Sequence, residues 1–147
     1  MLRLIYAKDI DSESFLESVF DSEHVQDRAI IYGENGKPYL KSGEFFFNIS
    51  DCDGQLVCAV SDKEIGIDIQ KICEKPRVAR KICQPQELEQ IKTPEDFTRI
   101  WTLKEAFVKA NGAGLGYGLQ NVDTTSLKQA KSWRYGDFYI SICYNKD

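Results

Sequence analysis

Glu64-Ile65-Gly66-Ile67-Asp68-Ile69-Gln70 alternates without a break. Ile65, Ile67 and Ile69 share one side of an extended chain, and Gly66, Asp68 and Gln70 share the other, which is the period of a β-strand. Strand rise puts the Cα atoms of Asp68 and Gln70 ~6.6–6.8 Å apart on that polar side. Unpaired charge on a central strand is costly, so taken alone the pattern predicts a polar side facing water and a solvated Asp68.

Towards the C-terminus, Val78, Ala79 and Ile82 after Pro76 predict a short helix. The longest helix announces its own start: Thr93 as cap, Pro94 at the first helical position and Asp96 three residues after the cap. Phe97, Ile100, Trp101, Phe107 and Val108 continue it, and Gly112 supplies its stop. The segment from Gly112 to Gly118 is rich in glycine and reads as a turn that could bring backbone close to a ligand. Trp133 to Tyr135 and Phe138 to Tyr144 predict a closing hairpin around Gly136-Asp137.

Towards the N-terminus, Leu2 to Tyr6 resembles a strand, and Asp11 to Phe20 an amphipathic helix through Phe15, Leu16, Val19 and Phe20. Gly33 to Pro38 is a turn, because it combines Asn-Gly with a proline. Phe45 to Ile49 and Leu56 to Val60 predict two strands joined by Ser50 to Gly54. Strands and helices mix without a regular βαβ rhythm, so the predicted class is α+β.

Composition bounds the function. The 147 residues suit one compact unit, and the formal net charge of −4 argues against nucleic acid as a partner. Five cysteines, an odd number, occur with His24 as the single histidine, which argues against a zinc site. Met1 to Tyr6 lacks a signal-peptide layout, and no stretch approaches the ~20 apolar residues of a membrane span. The expectation is a cytoplasmic protein with reduced, mostly buried thiols and no membrane contact.

On the long helix, Trp101, Glu105 and Lys109 recur every fourth residue and share a face, with Lys104 beside them. Alone, Trp101 reads as a core anchor and Glu105–Lys109 as an exposed ion pair, contributing ~0.3–0.5 kcal/mol. Combined with Asp68 the set changes meaning. Mg²⁺ is typically held by one or two carboxylates with phosphate oxygens and water, and lysines nearby would suit those phosphates.

Ile65-Gly66-Ile67-Asp68-Ile69-Gln70, followed by Trp101 to Lys109 and then Gly112-Ala113-Gly114-Leu115, is similar to the two signatures of the 4′-phosphopantetheinyl transferases. Gly36-Lys37-Pro38-Tyr39 and Phe47-Asn48-Ile49-Ser50 resemble further segments of the larger, pseudo-dimeric, surfactin-synthetase-activating type. The resemblance runs from about Gly33 to Leu119. It implies that fold: two similar α/β halves related by a pseudo-two-fold, here a shortened half over residues 1–62 and a second over 63–147, packed as a single compact unit.

The resemblance also implies an activity: transfer of the phosphopantetheine arm of coenzyme A to a serine of an acyl or peptidyl carrier protein, by a monomer. Asp68 and Glu105 would hold Mg²⁺, with Gln70 near the remaining position. Glu105 would help deprotonate the serine, and Lys109 would neutralise the pyrophosphate. Gly36, Lys37, Ser50, Lys104, Lys109 and Arg28 would serve coenzyme A, with Ser50 near its 3′-phosphate. The chain departs from the pattern in three ways. Asp51 stands where the family has histidine, Gln70 where it has glutamate, and the first half is short. The departures imply weaker nucleotide affinity, and the alternative they raise is a member that binds coenzyme A or a carrier protein without turnover.

Overall fold

The computed structural model describes residues 1–112 and 118–145. The first sheet contains β1 (Leu2–Lys8), β4 (Phe46–Cys52) and β5 (Gln55–Ser61), antiparallel in the order β1-β5-β4. Helix α1 (Ser12–Ser22) follows β1 and is capped by Asp11, whose carboxylate accepts from Ser14 N–H. A two-stranded ribbon, β2 (Ile30–Tyr32) and β3 (Pro38–Leu40), leads into β4. Its turn over Gly33 to Pro38 is legible in the sequence, but its strands of three residues are too short to show a period.

The second large sheet contains β6 (Ile65–Lys71), β7 (Ala130–Tyr135) and β8 (Phe138–Tyr144), antiparallel in the order β6-β8-β7. Helices α2 (Pro76–Ile82), α3 (Pro85–Gln90) and α4 (Pro94–Asn111) lie between β6 and β7 in the chain. Each large sheet is therefore built as strand, helical segment, hairpin, with the first strand paired to the third. The two units share one topology, as expected of a pseudo-two-fold fold.

Local chemistry explains most of the boundaries. Thr93 and Asp96 exchange both bonds of a capping box, Pro94 opens α4, and Gly112 ends it at φ 61°. The β4–β5 hairpin is tighter than its sequence suggests, because Asp53 (φ 48°) and Gly54 (φ 82°) both adopt the left-handed conformation that a two-residue turn needs. Both strands consequently extend to Cys52 and Gln55. Helix α3, absent from the sequence prediction, has a signal nonetheless: Pro85 at its first turn and Glu87 reaching back to the Gln84 N–H at 2.8 Å. The expected glycine-rich turn lies, between Ala113 and Tyr117, outside the described residues.

Three layers of packing result. Phe15, Val19 and Phe20 of α1 cover Phe47, Cys58 and Val60 of the first sheet. The two sheets meet face to face through Val57 and Ala59 of β5 and Ile65, Ile67, Ile69, Ile140 and Ile142 of β6 and β8. Helix α4 covers the opposite face of β6 and β8, the face that carries Gly66 and Asp68. That face is thus interior, and Asp68 is 5% exposed rather than solvated. No helix among the described residues is long and apolar enough to cross a membrane.

Candidate active site

At Gly66 the helix and strand approach so closely that an added Cβ would lie 2.1 Å from the Ala106 carbonyl oxygen and 2.4 Å from the Ala110 nitrogen. This contact sets α4 directly on β6, so its Glu105 and Lys109 lie beside Asp68. The strand aspartate and the glutamate and lysine of a helix far along the chain are thereby gathered in one place.

Strand β4 runs alongside β6, but side chains make the bonds between them. Asn48 Oδ1 accepts from the Ile67 N–H at 2.9 Å, and Ser50 Oγ accepts from the Ile69 N–H at 3.3 Å. Ser50 Oγ donates in turn to Asp68 Oδ1 at 3.1 Å, and Gln70 Nε2 donates to Asp68 Oδ2 at 3.3 Å. Burial pushes the Asp68 carboxyl up to about 7; Lys109 opposes that rise and Glu105 adds to it.

Lys109 closes the seam from the helix side. Its Nζ donates to Ile49 O of β4 at 3.1 Å and to Ile67 O of β6 at 2.7 Å, in place of the exposed ion pair that the helical spacing suggests. Burial lowers its pKa, against the attraction of Asp68, Glu105 and Asp51. Glu105 is half-buried and lines a cleft of ≈ 320 Å³ together with Gly36, Lys37, Asn48, Ile49 and Lys109. Gly36, at φ 88°, shapes the turn that forms the other wall. The Lys37 ammonium points inward, donating to Ile65 O and Ala110 O at 3.1 Å each and to Glu64 Oε1 at 3.3 Å.

Two expected nucleotide contacts lie elsewhere. Lys104 is fully buried on another side of α4, paired with Glu87 Oε1 at 2.7 Å and donating to Leu119 O at 3.1 Å and to Val122 O. One residue is about 100° of helix rotation, which turns Lys104 away from the face of Glu105. Its role here is to tie α4 to α3 and to the segment after Gly118. Arg28 is held on α1 by Glu17 and Asp21, 2.7 Å each, and does not line the cleft. Sequence reasoning assigned no role to Asn48 or Glu87. Asn48 alternates with Ser50 on one side of β4, which was the available signal.

The model of the 4′-phosphopantetheinyl transferase superfamily matches residues 64–144, from the start of β6 to the end of β8. The chain belongs to this superfamily. A 4′-phosphopantetheinyl transferase of Bacillus subtilis is 39% identical over 98 residues, 60% of this chain and 43% of that relative. The transferase psf-1 of Bacillus pumilus is 35% identical over 97 residues, covering 59% of this chain and 41% of the relative. The transferase HetI of Nostoc sp. is 30% identical over 123 residues, 69% of this chain and 52% of its own length. The chain thus spans between two fifths and about half of the length of these curated relatives. Asp68, Glu105 and Lys109 all fall within the superfamily match.

Proposed function

We propose that the chain transfers the 4′-phosphopantetheine arm of coenzyme A to a serine of an apo acyl or peptidyl carrier protein, releasing 3′,5′-ADP. The observation that carries this reading is the buried Asp68 carboxylate, facing Glu105 and Lys109 beside an open cleft. A buried carboxylate whose neutral form is favoured by burial has a reason to stay there if a cation restores its charge.

Mg²⁺ suits this donor set. Among the described residues no group of three His, Cys, Asp or Glu side chains could hold a metal ion. Mg²⁺ needs only one or two carboxylates when phosphate oxygens and water complete its shell. Asp68 and Glu105 would supply those carboxylates, with the amide oxygen of Gln70 available for the remaining position while its Nε2 donates to Asp68. When bound, the ion would neutralise charge on the pyrophosphate.

The chain's own residues account for the remaining steps. The turn at Gly36 and Lys37 holds the nucleotide end in the cleft, and Lys109 offsets charge on the pyrophosphate. Glu105 takes the proton of the carrier serine, directly or through one water. The serine oxygen then bonds to the β-phosphorus, and the bond from that phosphorus to the bridging oxygen breaks, so that 3′,5′-ADP leaves with the bridging oxygen. Positioning and charge neutralisation supply most of the rate, as in other phosphoryl transfers. Arg28 and Lys104 stay outside this set.

The reading places the protein in the cytoplasm, in keeping with five free cysteines. It acts as a monomer, its two units of like topology supplying internally the pairing that a dimer would supply. Mixing the protein with Mg²⁺, coenzyme A and a panel of apo carrier proteins should add one phosphopantetheine to a serine, read by intact mass. Coenzyme A binding without any mass gain would select the alternative of a binding protein that does not turn over.

A further inference from the structure

The seam between β4 and β6 contains a hydroxyl whose bonding differs from the role the family resemblance implies for it. Ser50 Oγ has two partners, both on β6: it accepts from the Ile69 N–H and donates to Asp68 Oδ1. The proton of Ser50 is therefore directed at the carboxylate, and an oxygen lone pair is occupied by the strand. In this arrangement the hydroxyl serves the carboxylate end of the site.

We propose that Ser50 is a positioning residue for Asp68, fixing the direction in which this carboxylate presents its oxygens to a divalent cation. This inference rests on the transferase reading above. Asp68 has one neutral donor on each oxygen, Ser50 on Oδ1 and Gln70 on Oδ2. The two donors come from different strands and hold the carboxylate plane from both ends. Hydrogen bonds of this kind to a metal-ligating group set its orientation, and their loss typically costs tenfold or more in metal affinity. Ser50 also couples the two halves: movement of β4 relative to β6 would turn the Asp68 carboxylate.

Asn48 provides an internal control. It makes the equivalent bond to β6, accepting from the Ile67 N–H, but has no bond to Asp68. Loss of Asn48 should weaken the seam without disturbing the carboxylate.

The test titrates Mn²⁺, by the electron paramagnetic resonance signal of the free ion, into the whole protein alone and with saturating coenzyme A. Ser50→Ala should weaken Mn²⁺ binding roughly tenfold or more, with Ser50→Thr restoring it. Asn48→Ala should lower Tm yet leave Mn²⁺ affinity within about twofold of the parent protein. In steady-state transfer at saturating Mg²⁺, Ser50→Ala should lower kcat while KM for coenzyme A and Kd for 3′,5′-ADP stay unchanged. Unchanged Mn²⁺ binding in Ser50→Ala, or a selective loss of 3′,5′-ADP affinity, would return Ser50 to the nucleotide end and overturn the proposal. Parent protein that binds Mn²⁺ but transfers nothing refutes the transferase reading and leaves the Ser50 comparison readable. Parent protein that binds no Mn²⁺ under either condition overturns both.

Discussion

Between α1 and the first sheet, the buried layer is built from Phe15, Val19, Phe20, Phe47, Cys58 and Val60. Between α4 and the second sheet, the corresponding layer holds Asp68, Thr102 and Ser141, all buried. The topology is the same, but the contents differ in kind. In the first unit Phe20 and Phe47 meet edge to face, with ring centroids 5.4 Å apart. In the second, Thr102 Oγ1 and Ser141 Oγ lie 2.7 Å apart, and Glu87 pairs with Lys104 out of solvent. Apolar contacts tolerate adjustment, whereas a buried polar layer works only when every group is satisfied. One unit serves as the scaffold, and the other spends stability to hold charge in place.

Four measurements would break or sharpen this contrast. The largest effect is expected at Gly66, where the added methyl of Gly66→Ala meets backbone atoms that cannot rotate away. It should push α4 off β6 and cost more than about 4 kcal/mol of unfolding free energy by urea titration, with activity lost. A mild effect would show that the helix does not depend on this close approach.

Lys104→Met leaves Glu87 buried and unpaired, and should cost roughly 3–5 kcal/mol. Replacing Glu87 by Gln in the same protein should recover part of that loss, because both charges are then gone while Gln84 and Thr124 keep an acceptor. The refolded double variant should keep its KM for coenzyme A; a large rise would bring Lys104 back to the nucleotide.

Asp68→Asn tests the cost of the site itself in metal-free protein. The folded carboxyl titrates at about 7, against ~3.9 in the unfolded chain. The native state therefore binds the extra proton, and stability falls as pH rises between about 4 and 7. Asp68→Asn should remove that decline and be more stable than the parent at pH 8, by roughly 1–3 kcal/mol, while abolishing transfer. Superimposable pH–stability curves for the two proteins would contradict the buried charge.

The smallest effect is expected at Asp51, exposed on β4 and within the field of Lys109. Asp51→His should lower KM for coenzyme A by roughly three- to tenfold, about one kcal/mol, because a repulsive charge near an anionic ligand is removed. An unchanged KM would show that Asp51 points away from the nucleotide.

Much of this arrangement was legible before the fold. The cap and stop of α4 are written in Thr93, Pro94, Asp96 and Gly112, since capping is a matter of a few neighbouring residues. The alternation from Ile65 to Gln70 marked β6, and the glycines at 54 and 136 marked two hairpins. The association of Asp68, Glu105 and Lys109 was also visible, through motif order. Short elements escaped, among them β2, β3 and α3, because six residues or fewer display too little of a period.

The sequence by itself thus determined the longer elements, the class and the candidate residues for the chemistry. Tertiary structure decided what covers each face. Periodicity tells that Gly66 and Asp68 share a side of β6 but not whether water or α4 lies over it. The same limit applied to Lys104, which turns into a buried ion pair, and to Ser50, whose hydroxyl meets Asp68 through the packing of β4 on β6. A side chain's partners across a seam are set by which strands and helices come together, and that is a property of the whole packed chain.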